Sequence, residues 1–141
     1  MVSPVPTETL SYKRCYTLAE LPQVVAEVQA LHPEVRIWLL EGPLGSGKTT
    51  FVRTWIGEEV ASPTFTYIHR YRQAVHVDLY RFPWDIPSRW AELEEAIQNA
   101  SLVFIEWADR LPFTVSPPWA KVVFLPQEDP YRCLQVSIAH S

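Results

Sequence analysis

The chain has 141 residues, 48% of them hydrophobic and 20% charged, which suits one soluble domain with its own core and leaves little room for a separate substrate domain. Twelve Lys and Arg against sixteen Asp and Glu give a net charge of -4, which argues against a protein that grips RNA or DNA by a basic face of its own. No apolar run approaches the roughly 18–20 residues of a membrane span, and MVSPVPTETLSYKR at the N-terminus lacks the apolar centre of a signal peptide, so no membrane role and a cytoplasmic location are expected.

In chain order, residues 10–16 (LSYKRCY) read as an edge strand. Thr17 and Glu20 have the spacing of a capping box, and helical periodicity follows to about Leu31, with Pro22 suited to the first turn. Residues 35–40 (VRIWLL) form the near-continuous apolar run of a strand buried on both faces. A glycine loop comes next, and then KTTFVRTWI as a short helix. FTYIHRYR and AVHVDLY alternate around Gln73 as a hairpin; residues 88–98 are an amphipathic helix with Ser88 as cap. SLVFIEW is a second buried strand, and KVVFLP and YRCLQVSIAH close the chain as two strands around QEDP. The fold class expected from this order is α/β: a mixed sheet with a parallel centre and antiparallel additions, flanked by helices, in one domain over residues 1–141. Cys15 and Cys133 lie far apart without metal-ligand spacing and read as separate reduced thiols.

The loop GPLGSGKT, residues 42–49, has the phosphate-loop spacing G-x-x-x-x-G-K-T. Gly42, Gly45 and Gly47 let the backbone present its N–H groups to phosphate oxygens, with Ser46 and Thr50 as further nucleotide-binding candidates. Lys48 is suited to the β- and γ-phosphates, and the Thr49 hydroxyl to Mg²⁺. Such a site needs a second acid at the end of a neighbouring strand, and Glu106 in LVFIE occupies that place, with glutamate where aspartate is usual. Asp78 ends another strand and is a candidate to orient the attacking water, or else to bond a loop backbone or pair with Arg81. His76 reads as a satisfied, partly buried imidazole, and Trp107 as core packing or a nucleotide neighbour. Thr64 in SPTF lies where a switch would sense the γ-phosphate. There is no N-K-x-D for guanine and no arginine-rich lid for a phosphate acceptor.

GPLGSGKTTFVR, SPTFTYIHRY, HVDLYR and FIEWADRLP occur in that order, and the set resembles the bacterial TsaE (YjeE) family of ATPases in tRNA threonylcarbamoyladenosine biosynthesis. The resemblance implies a P-loop ATPase using ATP and Mg²⁺, weak alone and partnered with TsaD and TsaB. Those partners place threonylcarbamate on adenosine 37 of tRNAs reading ANN codons, so tRNA is reached only through the complex. Carried over by motif, Lys48 and Thr49 serve phosphates and Mg²⁺, and Glu106 is the metal-linked acid. Asp78 and Thr64 become candidates for hydrolysis and switching, and Trp107 becomes a functional aromatic. Departures are Pro43, Ser46 and a stretch from Lys48 to SPTF about five residues short, which implies a helix shortened by roughly one turn. Two other readings stand beside this one: a small-molecule kinase on a P-loop scaffold, and a nucleotide-binding interaction module without useful hydrolysis.

Overall fold

The computed structural model describes residues 7–43, 45–57, 67–128 and 130–140. Strand β1 (Thr7–Thr17) leads through a 3-10 turn (Leu18–Glu20) into helix α1 (Leu21–Leu31), then β2 (Ile37–Glu41) and α2 (Lys48–Ile56). The hairpin β3 (Ile68–Arg70) and β4 (Ala74–Asp78) precedes α3 (Pro87–Asn99) and β5 (Leu102–Glu106). A second 3-10 turn (Ala108–Arg110), β6 (Trp119–Leu125) and β7 (Tyr131–His140) complete the described chain.

The strands form one sheet in the order β1-β7-β6-β2-β5-β4-β3. β2 runs parallel to both β5 and β6, and β4 runs parallel to β5. The outer pairs β1–β7, β6–β7 and β3–β4 are antiparallel. The expected mixed sheet with a parallel centre is therefore the observed one, and β1 is an edge strand as expected.

Strand alternation sends side chains to two cores. On one face Trp38, Leu40, Phe104, Val122 and Phe124 pack against Val24 and Val28 of α1 and Phe51 and Val52 of α2. On the other, Ile37, Val75, Val77, Val103 and Ile105 meet Leu93 and Ala96 of α3. Helix α1 is tied down at its polar side as well. Tyr12 Oη and Arg14 of β1 both donate to Glu27, each at 2.6 Å. Burial, and then this carboxylate, push the Tyr12 hydroxyl up to about 12.

Local signals are realised with small shifts. Thr17 N donates to Glu20 Oε1 at 2.9 Å, but the capping box opens the 3-10 turn; the α-helix proper starts at Leu21, with Pro22 in its first turn. Ser88 does not cap α3, because Pro87 already holds the first helical turn and Ile86 is the cap residue, with no side-chain bond. The far end of α3 is closed from β2's approach, where Arg36 donates to the carbonyls of Ile97 and Ala100 at 2.5 and 3.1 Å.

The cysteine reading is corrected. Antiparallel register sets Cys15 directly opposite Cys133, with Cα atoms 3.9 Å apart, and the two are joined in a disulfide. Their separation of 118 residues hides this, since only the β1–β7 pairing brings them together.

Phe51 is fully buried and sets its ring edge-on to Phe124 at 5.5 Å, pinning α2 to the sheet. Phe51→Ala is expected to cost about 3–5 kcal/mol in denaturant unfolding. A loss below about 1 kcal/mol would mean that this contact does not hold α2 in place.

Candidate nucleotide and metal site

The glycine loop joins β2 to α2 at the C-terminal end of the parallel strands. Gly47, the residue before α2, has φ 102°, a conformation that a side chain would strain. A Cβ on Gly42 would sit 2.9 Å from Phe124 Cβ and 2.9 Å from Ser46 Oγ, so only glycine lets the loop lie this close to β6. Ser46 N donates to Pro43 O at 3.1 Å and Phe51 N to Gly47 O at 2.9 Å, closing the loop onto the first turn of α2. The first turn of α2, whose N–H groups have no partner within the helix, brings Lys48, Thr49 and Thr50 and the helix's positive end to the same space.

A cleft of about 350 Å³ opens there. It is lined by Gly45, Gly47, Lys48, Thr49, Thr50, Asp78, Glu106 and Trp107, together with Tyr16, Leu18, Leu21 and Arg132. Strand register explains the acids: β4 and β5 pair in parallel with Asp78 opposite Glu106, both on the face covered by α2. Residues far apart in sequence thus meet at one edge of the sheet.

Lys48 and Glu106 are both buried, at 7% and 6% exposure. Lys48 Nζ donates to Gly42 O at 2.5 Å and lies 3.4 Å from Glu106 Oε1. The other carboxylate oxygen, Oε2, is 2.6 Å from His76 Nε2. Burial would raise the Glu106 carboxyl, but the bond and charge of His76, joined by Lys48, hold it below the ordinary carboxylate range. It is therefore an ionised acceptor buried between two basic groups.

Asp78 Oδ1 accepts the backbone N–H of Tyr80 at 3.0 Å. This is the loop bond weighed from sequence. Arg81 stacks over Tyr80 instead, 5.7 Å from its ring. Trp107 adopts a left-handed backbone with φ 61° and ψ 44°, uncommon for a bulky residue. Its ring lies 4.9 Å from that of Tyr80, with Lys48 Nζ 5.7 Å and Arg110 Cζ 5.5 Å from its centroid.

Two loop candidates lie elsewhere. Gly42 lines a neighbouring cavity of about 760 Å³ beside Leu39, Trp107, Leu111, Phe113 and Trp119. Ser46 Oγ is buried without a partner among the described residues. Thr64 and its SPTF motif lie outside the described residues. Conversely, Tyr16, Leu18, Leu21 and Arg132 line the cleft without belonging to any motif. Arg132 donates to Gly45 O at 3.2 Å across 87 residues of sequence, so only the closing strand's place in the sheet reveals it.

The donor set is hard oxygen: the Thr49 hydroxyl and the Asp78 and Glu106 carboxylates. Among the described residues no cluster of three or more His, Cys, Asp or Glu could hold a metal unaided. That composition fits Mg²⁺, which takes one or two carboxylates and completes its shell with water and phosphate oxygens. The cations Lys48 and Arg132 and the N-terminus of α2 fit a polyphosphate in the same cleft.

The family model described as "Threonylcarbamoyl adenosine biosynthesis protein TsaE" matches residues 15–133. A tRNA threonylcarbamoyladenosine biosynthesis protein TsaE of Nostoc sp. is 41% identical over 90 residues, covering 55% of this chain and 56% of its own. One from Rickettsia felis is 39% identical over 106 residues, covering 67% of this chain and 60% of its own. The chain therefore spans somewhat over half the length of these relatives. In fold it is similar to the crystal structure of Bacillus subtilus YdiB, with a TM-score of 0.66 at 22% identity over 96% of this chain and 88% of that one. With the family model covering the sheet from the end of β1 into β7, the chain belongs to the TsaE family.

Proposed function

We propose that this protein is a Mg²⁺-dependent ATPase of the cytoplasm that supports threonylcarbamoyl modification of adenosine 37 in tRNA by acting on a TsaD–TsaB complex. The observation that carries the ATPase part is the buried Lys48–Glu106 pair beneath the glycine loop, 3.4 Å apart, with Asp78 and Thr49 lining the same cleft. The tRNA part rests on family membership. A disulfide is commoner in oxidising compartments, so it is that tRNA role which carries the cytoplasmic placement. Among the described residues no helix is long and apolar enough to cross a membrane.

Each residue then has a task. Lys48 leaves the Gly42 carbonyl to neutralise the β- and γ-phosphates of ATP, and the N–H groups of the loop and of α2 receive the remaining charge. Thr49 and Glu106 hold Mg²⁺, which when bound draws charge from the phosphate oxygens. Asp78 keeps Oδ1 on Tyr80 N–H and offers Oδ2 to orient a water. Thr64 is the γ-phosphate switch, and Trp107 closes the cleft beside Lys48. Tyr16, Leu18 and Arg132 form the wall nearest β1 and β7. The acidic net charge fits a protein that reaches tRNA through its partners and does not bind it tightly alone.

Phosphate release measured with and without purified TsaD and TsaB tests the whole reading. Hydrolysis that rises on adding them is expected. Phosphorylation of a metabolite instead would favour a kinase, and tight ATP binding with no turnover in any mixture would favour an interaction module. Lys48→Ala is expected to lower partner-stimulated turnover at least about 100-fold, with folding checked by circular dichroism because the change leaves Glu106 on His76 alone. Near-native turnover would refute the P-loop assignment. Glu106→Gln is expected to weaken Mg²⁺-dependent hydrolysis more than ATP binding. An unchanged Mg²⁺ titration would make Glu106 a strand-end residue without a metal role.

A further inference from the structure

Glutamate in place of the usual aspartate brings one more methylene and one more rotatable bond to the metal-facing position. A carboxylate on that longer stem needs a second anchor to hold one orientation, because free rotamers cost entropy when they are fixed on binding. The structure supplies such an anchor. In the β4–β5 register His76 stands opposite Phe104, two residues before the Asp78–Glu106 pair, so the His76 side chain shares the α2 face with both acids. His76 is 4% exposed, and its Nε2 lies 2.6 Å from Glu106 Oε2. An ionised carboxylate only accepts hydrogen bonds, so Nε2 carries the hydrogen. Behind it, β3 sets His69 directly opposite His76, with ring centroids 5.9 Å apart, which packs the His76 imidazole from its far side.

We propose that His76 is a positioning residue: its Nε2–H holds Oε2 of Glu106 so that Oε1 stays beside Lys48 and faces the cleft. This rests on the reading of Glu106 as the metal-linked acid. His76 is not among the residues that line the cleft and acts through Glu106, as partners behind metal ligands commonly do.

Calorimetric titration of ATP in Mg²⁺ and in EDTA, on the native protein, His76→Leu and His76→Gln, is the test. The leucine variant keeps an apolar body without a donor; glutamine keeps an amide N–H able to reach the carboxylate. The gain in ATP affinity that Mg²⁺ brings is expected to fall about 10–100-fold in His76→Leu, with affinity in EDTA unchanged, and to return to within a few-fold of native in His76→Gln. Equal losses in both variants, or a native gain in His76→Leu, would overturn the proposal. The ring-nitrogen NMR signals of His76 in the nucleotide-free native protein decide the bond without any variant or ligand: a hydrogen on Nε2, in the neutral or the charged ring, supports it, and the neutral Nδ1–H tautomer refutes it. If native protein binds no ATP in either buffer, the ATPase reading fails, while the tautomer still decides whether His76 holds Glu106.

Discussion

A buried carboxylate with two basic partners organises this molecule's cleft. Ionised Glu106 would be costly at 6% exposure without compensation. Lys48 lies against one of its oxygens and His76 against the other. Those partners come from the start of α2 and from β4, so the charge is satisfied only when β2 and β4 flank β5 in parallel register. The sheet order and the electrostatics of the cleft are thus mutually dependent. Phe51, three residues after Lys48, pins the same helix to the sheet through Phe124 on that same face.

The sheet's two faces divide the work. The face under α1 and α2 carries His76, Asp78 and Glu106 at its C-terminal edge, because alternation puts these positions on the side of Phe104. The opposite face, under α3, is apolar at the same level, with Val77 and Ile105 fully buried. Trp107 stands where β5 leaves the sheet, and its left-handed backbone costs about 1–3 kcal/mol. That turn sets its indole between the phosphate-loop cleft and the larger apolar cavity. Across the cleft, β1 and β7 hold Tyr16 and Arg132 in the wall, and the Cys15–Cys133 disulfide joins the residues immediately next to them.

Much of this is legible in the residues. Apolar runs of strand length, helical periodicity and the glycine loop place every major element within a few positions, because these signals are local. The motifs name Lys48, Thr49, Asp78, Glu106 and Trp107, all of which line one cleft. The misses share a cause. Pairing of Cys15 with Cys133, the bond from Arg132 to the loop, and the partner of His76 each depend on which strands are neighbours. Ser88 fails as a cap for a local reason, since proline one residue earlier already fits the first turn.

What the sequence determined by itself is the chemistry on offer: a glycine loop with phosphate-loop spacing, a lysine and hydroxyl to follow it, and acids at strand ends. Periods of two and 3.6 residues, glycine's freedom and proline's constraint act over a few residues, so they survive without knowledge of the fold. Tertiary structure decided which groups meet. Strand order and register put Glu106 between Lys48 and His76, and burial then made each of them a necessary partner. Desolvation depends on the whole packed sheet, so no window of sequence contains it.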